Sequence, residues 1–321
     1  MSLTATKSFE SHAKLMVSGE YVVLEGALSL ALPLQFGQKL TISEKEGLPS
    51  VMWKSLINND LWFYATLLLP DFQVLETNRN DLSGTLQKTL KAAKMLNPYF
   101  LESNNTFQAI SNMNFNPDWG VGSSSSFISN IAYWADCNPF ELNSLIFTGS
   151  GYDIACARSL SPVIYERKGM QPQYRESSFH PAFNRQLFFI YLNRKQNSKD
   201  SISKLKLSEI KKEDIQMISK ITLQLESADN LILFQTLMDQ HEAIIARIIG
   251  KIPIKAQNFK DFDGSVKSLG AWGGDFILAA STASEEYVRN YFISNGLNVI
   301  FRYDEIVSDE YLKFDPSADG N

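Results

Sequence analysis

Cysteine is scarce: Cys137 and Cys156 are the only two in 321 residues. Two thiols cannot form a disulfide framework, so a reducing, cytoplasmic setting is expected. Histidine is scarcer than its usual share, and His12, His180 and His241 lie far apart. With the two cysteines they make no zinc-ligand spacing. Long apolar runs are missing too. The uncharged stretch 119–135 is diluted by glycine and serine, and nothing else approaches a membrane span. Lys7, Glu10 and Lys14 interrupt any apolar core in this N-terminal stretch, so no signal peptide is expected here. Excess positive charge is also absent. A net charge of -5 and a pI near 5.4 exclude a nucleic-acid binder that works by bulk electrostatics.

What is present is an ordinary globular composition, with enough chain for one large domain or two lobes with real cores. The first half mixes strands and helices. Residues 13–18 and 21–24 read as strands, and 27–43 as an extended run broken at Pro33. Residues 81–96 read as a helix ended by Pro98. Phe107, Ala109, Met113 and Phe115 share one strand face, ELNSLIF reads as a short helix, TGSGYD as a turn, and PVIYER as a strand. Charge and proline without a period over 167–185 mark a boundary, giving lobes 1–175 and 176–321. The second half opens on RQLFFIYLN as a strand. Helices near 208–228 and 230–250 follow, the latter with His241 on its apolar stripe as a core residue. GGDFILAAS reads as a strand, SEEYVRNYFISNG as a helix closed by Gly296, LNVIFRYDEI as a last strand, and DPSADGN as a frayed tail.

The stretch WGVGSSSSFISNIAYW carries the chemistry. Glycine and serine together suit a flexible spacer, but Phe127, Ile128, Ile131, Trp134 and Ala135 follow at helical spacing. The serines therefore lead into a buried helix. Free N–H groups and the macrodipole at a helix N-terminus attract anions. Glycines allow close approach, and serine hydroxyls donate to phosphate or ligate Mg²⁺. No Walker A lysine is present. Three other segments set glycine at a turn: AKLMVSGEYVVLEG, GSGYDIACA and LGAWGGDF. Each alone reads equally well as an ordinary turn.

Together, and in this order, the four segments resemble the GHMP kinase superfamily, named for galacto-, homoserine, mevalonate and phosphomevalonate kinases. The resemblance spans residues 13–276. Pro117, Gly120, Val121, Gly122 and Ser123 to Ser126 match its phosphate loop. Lys14, Gly19 and Glu20 match its N-terminal motif, Asp153 its acid motif, and LGAWGGDF its C-terminal glycine motif. GEYVVLE, GSGYDIACA and the aspartate of GGD (Asp275) look most like the phosphomevalonate kinase branch. The resemblance departs at Trp272, which replaces a glycine, and at Phe276, which replaces a cysteine. The phosphate loop is also about a residue short between Pro117 and Gly120.

The resemblance implies an α+β fold of two lobes, the first like ribosomal protein S5 domain 2 and the second ferredoxin-like. ATP and acceptor would meet between them. It implies transfer of a phosphoryl group from ATP, with Mg²⁺, to a small anionic metabolite, 5-phosphomevalonate first and mevalonate as the alternative. A non-catalytic nucleotide- or metabolite-binding regulator is the reading from another class. No nucleic acid or membrane partner is implied, and a homodimer is left open. Lys14 and Asp153 would be catalytic. Gly120, Gly122, Ser123, Ser124, Ser125 and Ser126 would hold ATP, with Ser124 and Glu141 on the metal; an N-cap role for Ser124 stands beside this. Glu20, Tyr21, Ser150, Gly151, Lys195, Ser198, Gly270, Ala271, Gly273 and Gly274 would line the acceptor site, with Glu20 holding the lysine or the loop.

Overall fold

Alternation forms the first long strand pair. Ala13, Leu15 and Val17 on β1 (Lys7–Ser18) and Leu30, Leu32 and Leu34 on β2 (Ser29–Glu46) enter one core. The computed structural model describes residues 6–168, 171–194, 210–270, 272 and 274–307. β2 runs through Pro33 without breaking, contrary to the sequence reading. Pro33 faces Lys14 where the ladder slips between His12 and Lys14, and at such a bulge the missing proline N–H costs no ladder bond. Residues 21–24 are not a strand either. Val22–Glu25 form a 3₁₀ turn between Tyr21 and Gly26, whose φ values are 64° and 88°.

Strands β3 (Ser50–Ile57) and β4 (Asp60–Leu68) form a hairpin closed by Asn58 and Asn59, both left-handed. After β5 (Gln73–Thr77), helix α1 (Asn80–Leu96) carries the chain to β6 (Asn105–Met113), parallel to β3. With β7 (Val163–Lys168) and β8 (Gln171–Glu176) the sheet runs β5-β4-β3-β6-β2-β7-β8, and β1 pairs with β2. Helices α2 (Ser123–Trp134) and α3 (Pro139–Ile146) join α1 on one face. There Leu86, Leu90, Ile128, Ile131 and Leu142 pack on Val51, Trp53 and Ala109. Helix α4 (Tyr152–Ala157) follows.

The second sheet, β10-β11-β9-β12, is antiparallel: β9 (Leu187–Tyr191), β10 (Ser265–Ser268), β11 (Phe276–Ala280) and β12 (Ile300–Arg302). Its two central strands, β9 (LFFIY) and β11 (FILAA), are apolar at every position because both of their faces are covered, whereas the flanking β10 (SVKS) and β12 (IFR) carry Lys267 and Arg302. Phe189, Phe276 and Leu278 join the core of β1 and β2, while Phe188, Ile190, Ile277 and Ala279 enter a second cluster. Helices α5 (Lys212–Glu226) and α6 (Leu231–Ile249) also pack into the shared core through Ile221, Leu225, Phe234 and Leu237. Helix α7 (Ile254–Asn258) and helix α8 (Glu285–Ser294) cover the second cluster. The expected last strand stops at Arg302. Helix α9 (Tyr303–Ile306) begins there because Glu305 accepts the Arg302 N–H at 2.7 Å. The architecture is mixed α and β, with the larger sheet built from residues 7–176 and the smaller from 187–302.

Candidate active site

Pro117–Trp119 form a 3₁₀ turn capped by the Asn116 side chain, and Gly120 ends it in the left-handed region. Trp119 then docks on the smaller sheet, edge-on to Phe276 with ring centroids 6.2 Å apart. The Tyr191 hydroxyl donates to the Asp118 carbonyl at 3.0 Å. Phe276, where the resemblance has a cysteine, thus anchors the 117–122 loop that the resemblance assigns to phosphate. Gly122, with φ 98°, is the N-cap of α2, without a side-chain cap. A Cβ there would lie 3.1 Å from Lys14 Cε and 2.8 Å from Ser125 Oγ. The Lys14 N–H also donates to the Val121 carbonyl at 2.8 Å. Glycine is required here because the lysine stem lies against the loop backbone.

The four serines divide. Ser125 Oγ donates to the Gly122 carbonyl at 2.8 Å, and Ser126 Oγ to Gln38 Oε1 at 3.0 Å. Both are buried, and the Ser126 N–H is spent on the Gly122 carbonyl at 3.1 Å. Ser126 therefore holds the helix to β2 and has no free amide for a phosphate. Ser124 is exposed and Ser123 half-buried. The amides of Ser123 to Ser125, in the first turn, have no partner within the helix.

Lys14, Asp153, Asp275, Gly120, Ser150 and Gly270 line one cavity. Lys14 Nζ lies 5.0 Å from the centre of the Tyr152 ring. Burial works against the lysine charge, but Tyr152, Asp153 and Asp275 outweigh it and hold the ammonium above its usual pKa. Asp153 sits in the first turn of α4, behind Gly151 with φ 88°. The Tyr165 hydroxyl donates to the Ser150 carbonyl and fixes that turn. Arg167 Nη1 reaches the Gly149 carbonyl, also in the cavity wall, at 3.4 Å. Asp275, read from sequence only as a branch marker, is 6% exposed with φ 54°. A Cβ on Gly120 would fall within 2.5 Å of both Asp275 carboxylate oxygens. The acid of the C-terminal motif thus touches the phosphate loop.

Four consecutive residues of the N-terminal motif each bond a different part of the second half. The Ser18 and Thr222 hydroxyls are 2.9 Å apart. The Gly19 N–H donates to His241 Nε2 at 2.9 Å, Glu20 is ion-paired to Lys267, and the Tyr21 hydroxyl accepts the Trp272 N–H at 2.7 Å. Glu20 lines the cavity, but its carboxylate binds Lys267 and not Lys14. Burial and the Lys267 charge keep His241 well below its usual pKa. Its neutral Nε2 accepts, leaving the proton on a buried Nδ1 that has no hydrogen-bond partner among the described residues. Trp272 packs among Tyr21, Val22, Ala27, Ile218, Ile245 and Ala246, behind Tyr21, and is not itself a lining residue.

Beside these lies Glu242, which accepts the Ile254 and Ser268 N–H groups, each at 3.2 Å. Burial pushes its carboxyl up to about 7 against the pull of Lys267. The folded state then holds more protons than the unfolded state between about pH 4.5 and 7, so this group's contribution to stability falls as pH rises through that window. His241 has the opposite slope, its contribution falling as pH drops below its ordinary value. Comparison with Glu242→Gln isolates the carboxyl. The melting temperature of the wild type relative to the variant should be higher at pH 5 than at pH 8, and a pH-independent difference would refute this.

Glu141 is not brought to the site. It is exposed in the first turn of α3, where it adds to burial in pushing the Cys137 thiol up to about 11. The resemblance implied it as a metal ligand, but it is not among the residues that line the cavity. Gly274 is buried and Tyr21 lines the cavity. Lys195, Ser198, Ala271 and Gly273 lie outside the described residues, as does the DPSADGN tail. Among the described residues no set of three His, Cys, Asp or Glu forms a metal cage, and no helix is long and apolar enough to cross a membrane. Mg²⁺ that keeps much of its coordination on nucleotide phosphates needs only one or two carboxylates. Asp153 and Asp275 both line the cavity and supply two such carboxylates, while Ser124 is exposed in the first turn of α2 and is not among the lining residues.

No protein-family model and no curated protein sequence matches the chain. Solved structures do. L. major mevalonate kinase in complex with R-mevalonate superposes with a TM-score of 0.66 at 13% identity, over 97% of this chain and 98% of that one. Streptococcus pneumoniae phosphomevalonate kinase in complex with phosphomevalonate and AMPPNP gives 0.70 at 15% identity, over 92% and 99%. Lactococcus lactis galactokinase complexed with galactose gives 0.64 at 12%, over 94% and 93%. The chain has the fold shared by these mevalonate kinase, phosphomevalonate kinase and galactokinase structures.

Proposed function

We propose that the protein is an ATP-dependent small-molecule kinase that transfers the γ-phosphoryl group to 5-phosphomevalonate. One observation carries this reading. The Lys14 stem lies against Gly122 of the phosphate loop, while its ammonium faces Tyr152, Asp153 and Asp275 across a single cavity. Phosphoryl transfer needs alignment and charge neutralisation more than covalent chemistry, and this arrangement supplies both.

Gly120, Gly122 and the first-turn amides of Ser123, Ser124 and Ser125 bind the ATP phosphates. Lys14 holds positive charge beside the transferring group, where exclusion of water strengthens it. An acceptor phosphate oxygen attacks the γ-phosphorus as the bond to the β-bridging oxygen breaks and ADP leaves. That oxygen is already largely ionised near neutral pH, so Asp153 orients Lys14 and the acceptor rather than removing a proton. Asp153 or Asp275 would hold Mg²⁺, which supplies charge neutralisation on the phosphates when bound.

A phosphorylated acceptor is favoured by the likeness of GEYVVLE, GSGYDIACA and Asp275 to the phosphomevalonate kinase branch; Arg167, which does not line the cavity itself, donates to the carbonyl of the lining residue Gly149. Mevalonate is the second reading, favoured by the mevalonate complex among the structures of this fold; Asp153 would then act on an alcohol proton. The regulatory reading drew on Trp272, whose side chain lies in the apolar cluster. The test is MgATP-dependent ADP release with mevalonate and 5-phosphomevalonate side by side. Higher kcat/KM is expected with 5-phosphomevalonate. Preference for mevalonate would overturn the acceptor assignment, and ATP binding without turnover on either would overturn the reading of this site.

A further inference from the structure

The Ser18–Tyr21 turn does more than present an acid to the cavity. Its successive bonds to Thr222, His241, Lys267 and the Trp272 backbone reach α5, α6, β10 and the glycine turn after β10. Lys267 is the centre of this set. It is 1% exposed, and its ammonium donates both to Glu20 and, at 2.8 Å, to the carbonyl of Ser268. Glu20 and Tyr21 form one wall of the cavity, and Gly270, two residues past Ser268, belongs to the opposite half.

We propose that Lys267 is a positioning residue: a latch that fixes the Glu20–Tyr21 wall against the Gly270 wall and so sets the width of the acceptor end of the cavity. This rests on the kinase reading above. The remaining charged and titratable groups around it are Glu242 and His241. Glu242 holds Ser268 through its N–H and hydroxyl at 3.2 Å each, and His241 lies 3.3 Å from the free oxygen of Glu20. Glu20 Oε2 and His241 Nδ1 are buried without hydrogen-bond partners among the described residues. A cluster left partly unsatisfied is held for something other than maximal stability. The phosphate loop makes none of these four bonds, so nucleotide binding is separable from the latch.

The test uses Lys267→Met, which keeps the stem's bulk, and the double variant Glu20→Gln/Lys267→Met. The single variant strands a buried carboxylate and is expected to melt lower. The double variant removes both charges and is expected to recover most of that loss. In both, acceptor KM should rise ten- to a hundredfold while kcat falls less than threefold and MgATP affinity, read by calorimetry, stays within threefold. A double variant that recovers stability and wild-type acceptor KM would show the pair to be structural only and overturn the latch. So would parallel loss of nucleotide affinity. Wild-type protein that turns over no acceptor defeats the kinase reading and the latch with it, whereas wild-type turnover with unmoved KM in the variants defeats the latch alone.

Discussion

Lys14→Met is expected to lower kcat/KM by about 10²–10³-fold, the scale of removing one preorganised charge-stabilising donor from a catalytic site. The fold should survive, because the methylene stem that lies against Gly122 is kept and the backbone bond to Val121 is untouched. The loss should fall mainly on kcat, since the lysine charge matters most as charge shifts toward the β-bridging oxygen. Asp153→Asn should also lose activity. Because Lys14 and Asp153 act as a unit across the cavity, the double variant should lose far less than the product of the single losses. Steady-state kinetics on the three variants, with thermal melts as the folding control, checks this. A loss under about tenfold for Lys14→Met would remove the residue from the reacting centre.

Gly120→Ala should be the most damaging change of a single atom in the phosphate loop. The residue has φ 70°, which costs an L-residue about 1–2 kcal/mol. Its Cβ would also overlap the buried Asp275 carboxylate, so the loop and the C-terminal motif must part. MgATP affinity measured by calorimetry is expected to fall about tenfold or more. Adding Asp275→Ala relieves the overlap but not the backbone strain, so it should restore part of the thermal stability lost to Gly120→Ala. Unchanged nucleotide affinity in Gly120→Ala would show that phosphates do not approach this glycine.

The parts of the site that were legible in the sequence are local ones. A left-handed glycine ahead of a serine-led helix, or a glycine turn ahead of Asp153, is written within a few residues. The partners of the Ser18–Tyr21 turn were not legible, because Thr222, His241, Lys267 and Trp272 stand more than 200 residues away; the first three look ordinary in their own segments, and Trp272 stood out only as a departure from a glycine motif. His241 illustrates this. Its helical stripe marked it as a core residue, and it is one, but nothing local shows that its imidazole receives the Gly19 amide. Asp275 stood in a visible motif without a role because its contact with Gly120 forms only when the two sheets pack. Val22 and Val23 favour a strand by propensity, yet left-handed Tyr21 and Gly26 confine them to a 3₁₀ turn. The β3–β4 hairpin, left unassigned from the sequence, is closed by two asparagines of the kind that tolerate its turn. That Ser126 differs from the serines before it was not legible, since Gln38, which accepts its hydroxyl, comes from a distant strand.

The most direct test of the central claim is phosphorus-31 NMR of wild-type protein with MgATP and 5-phosphomevalonate, followed beside Asp153→Asn. The account predicts that the γ-phosphate signal is lost as a new diphosphate signal on the acceptor grows in equal amount, and that the variant slows both together. Release of inorganic phosphate in place of the acceptor diphosphate, or no loss of the γ-phosphate signal, would contradict it.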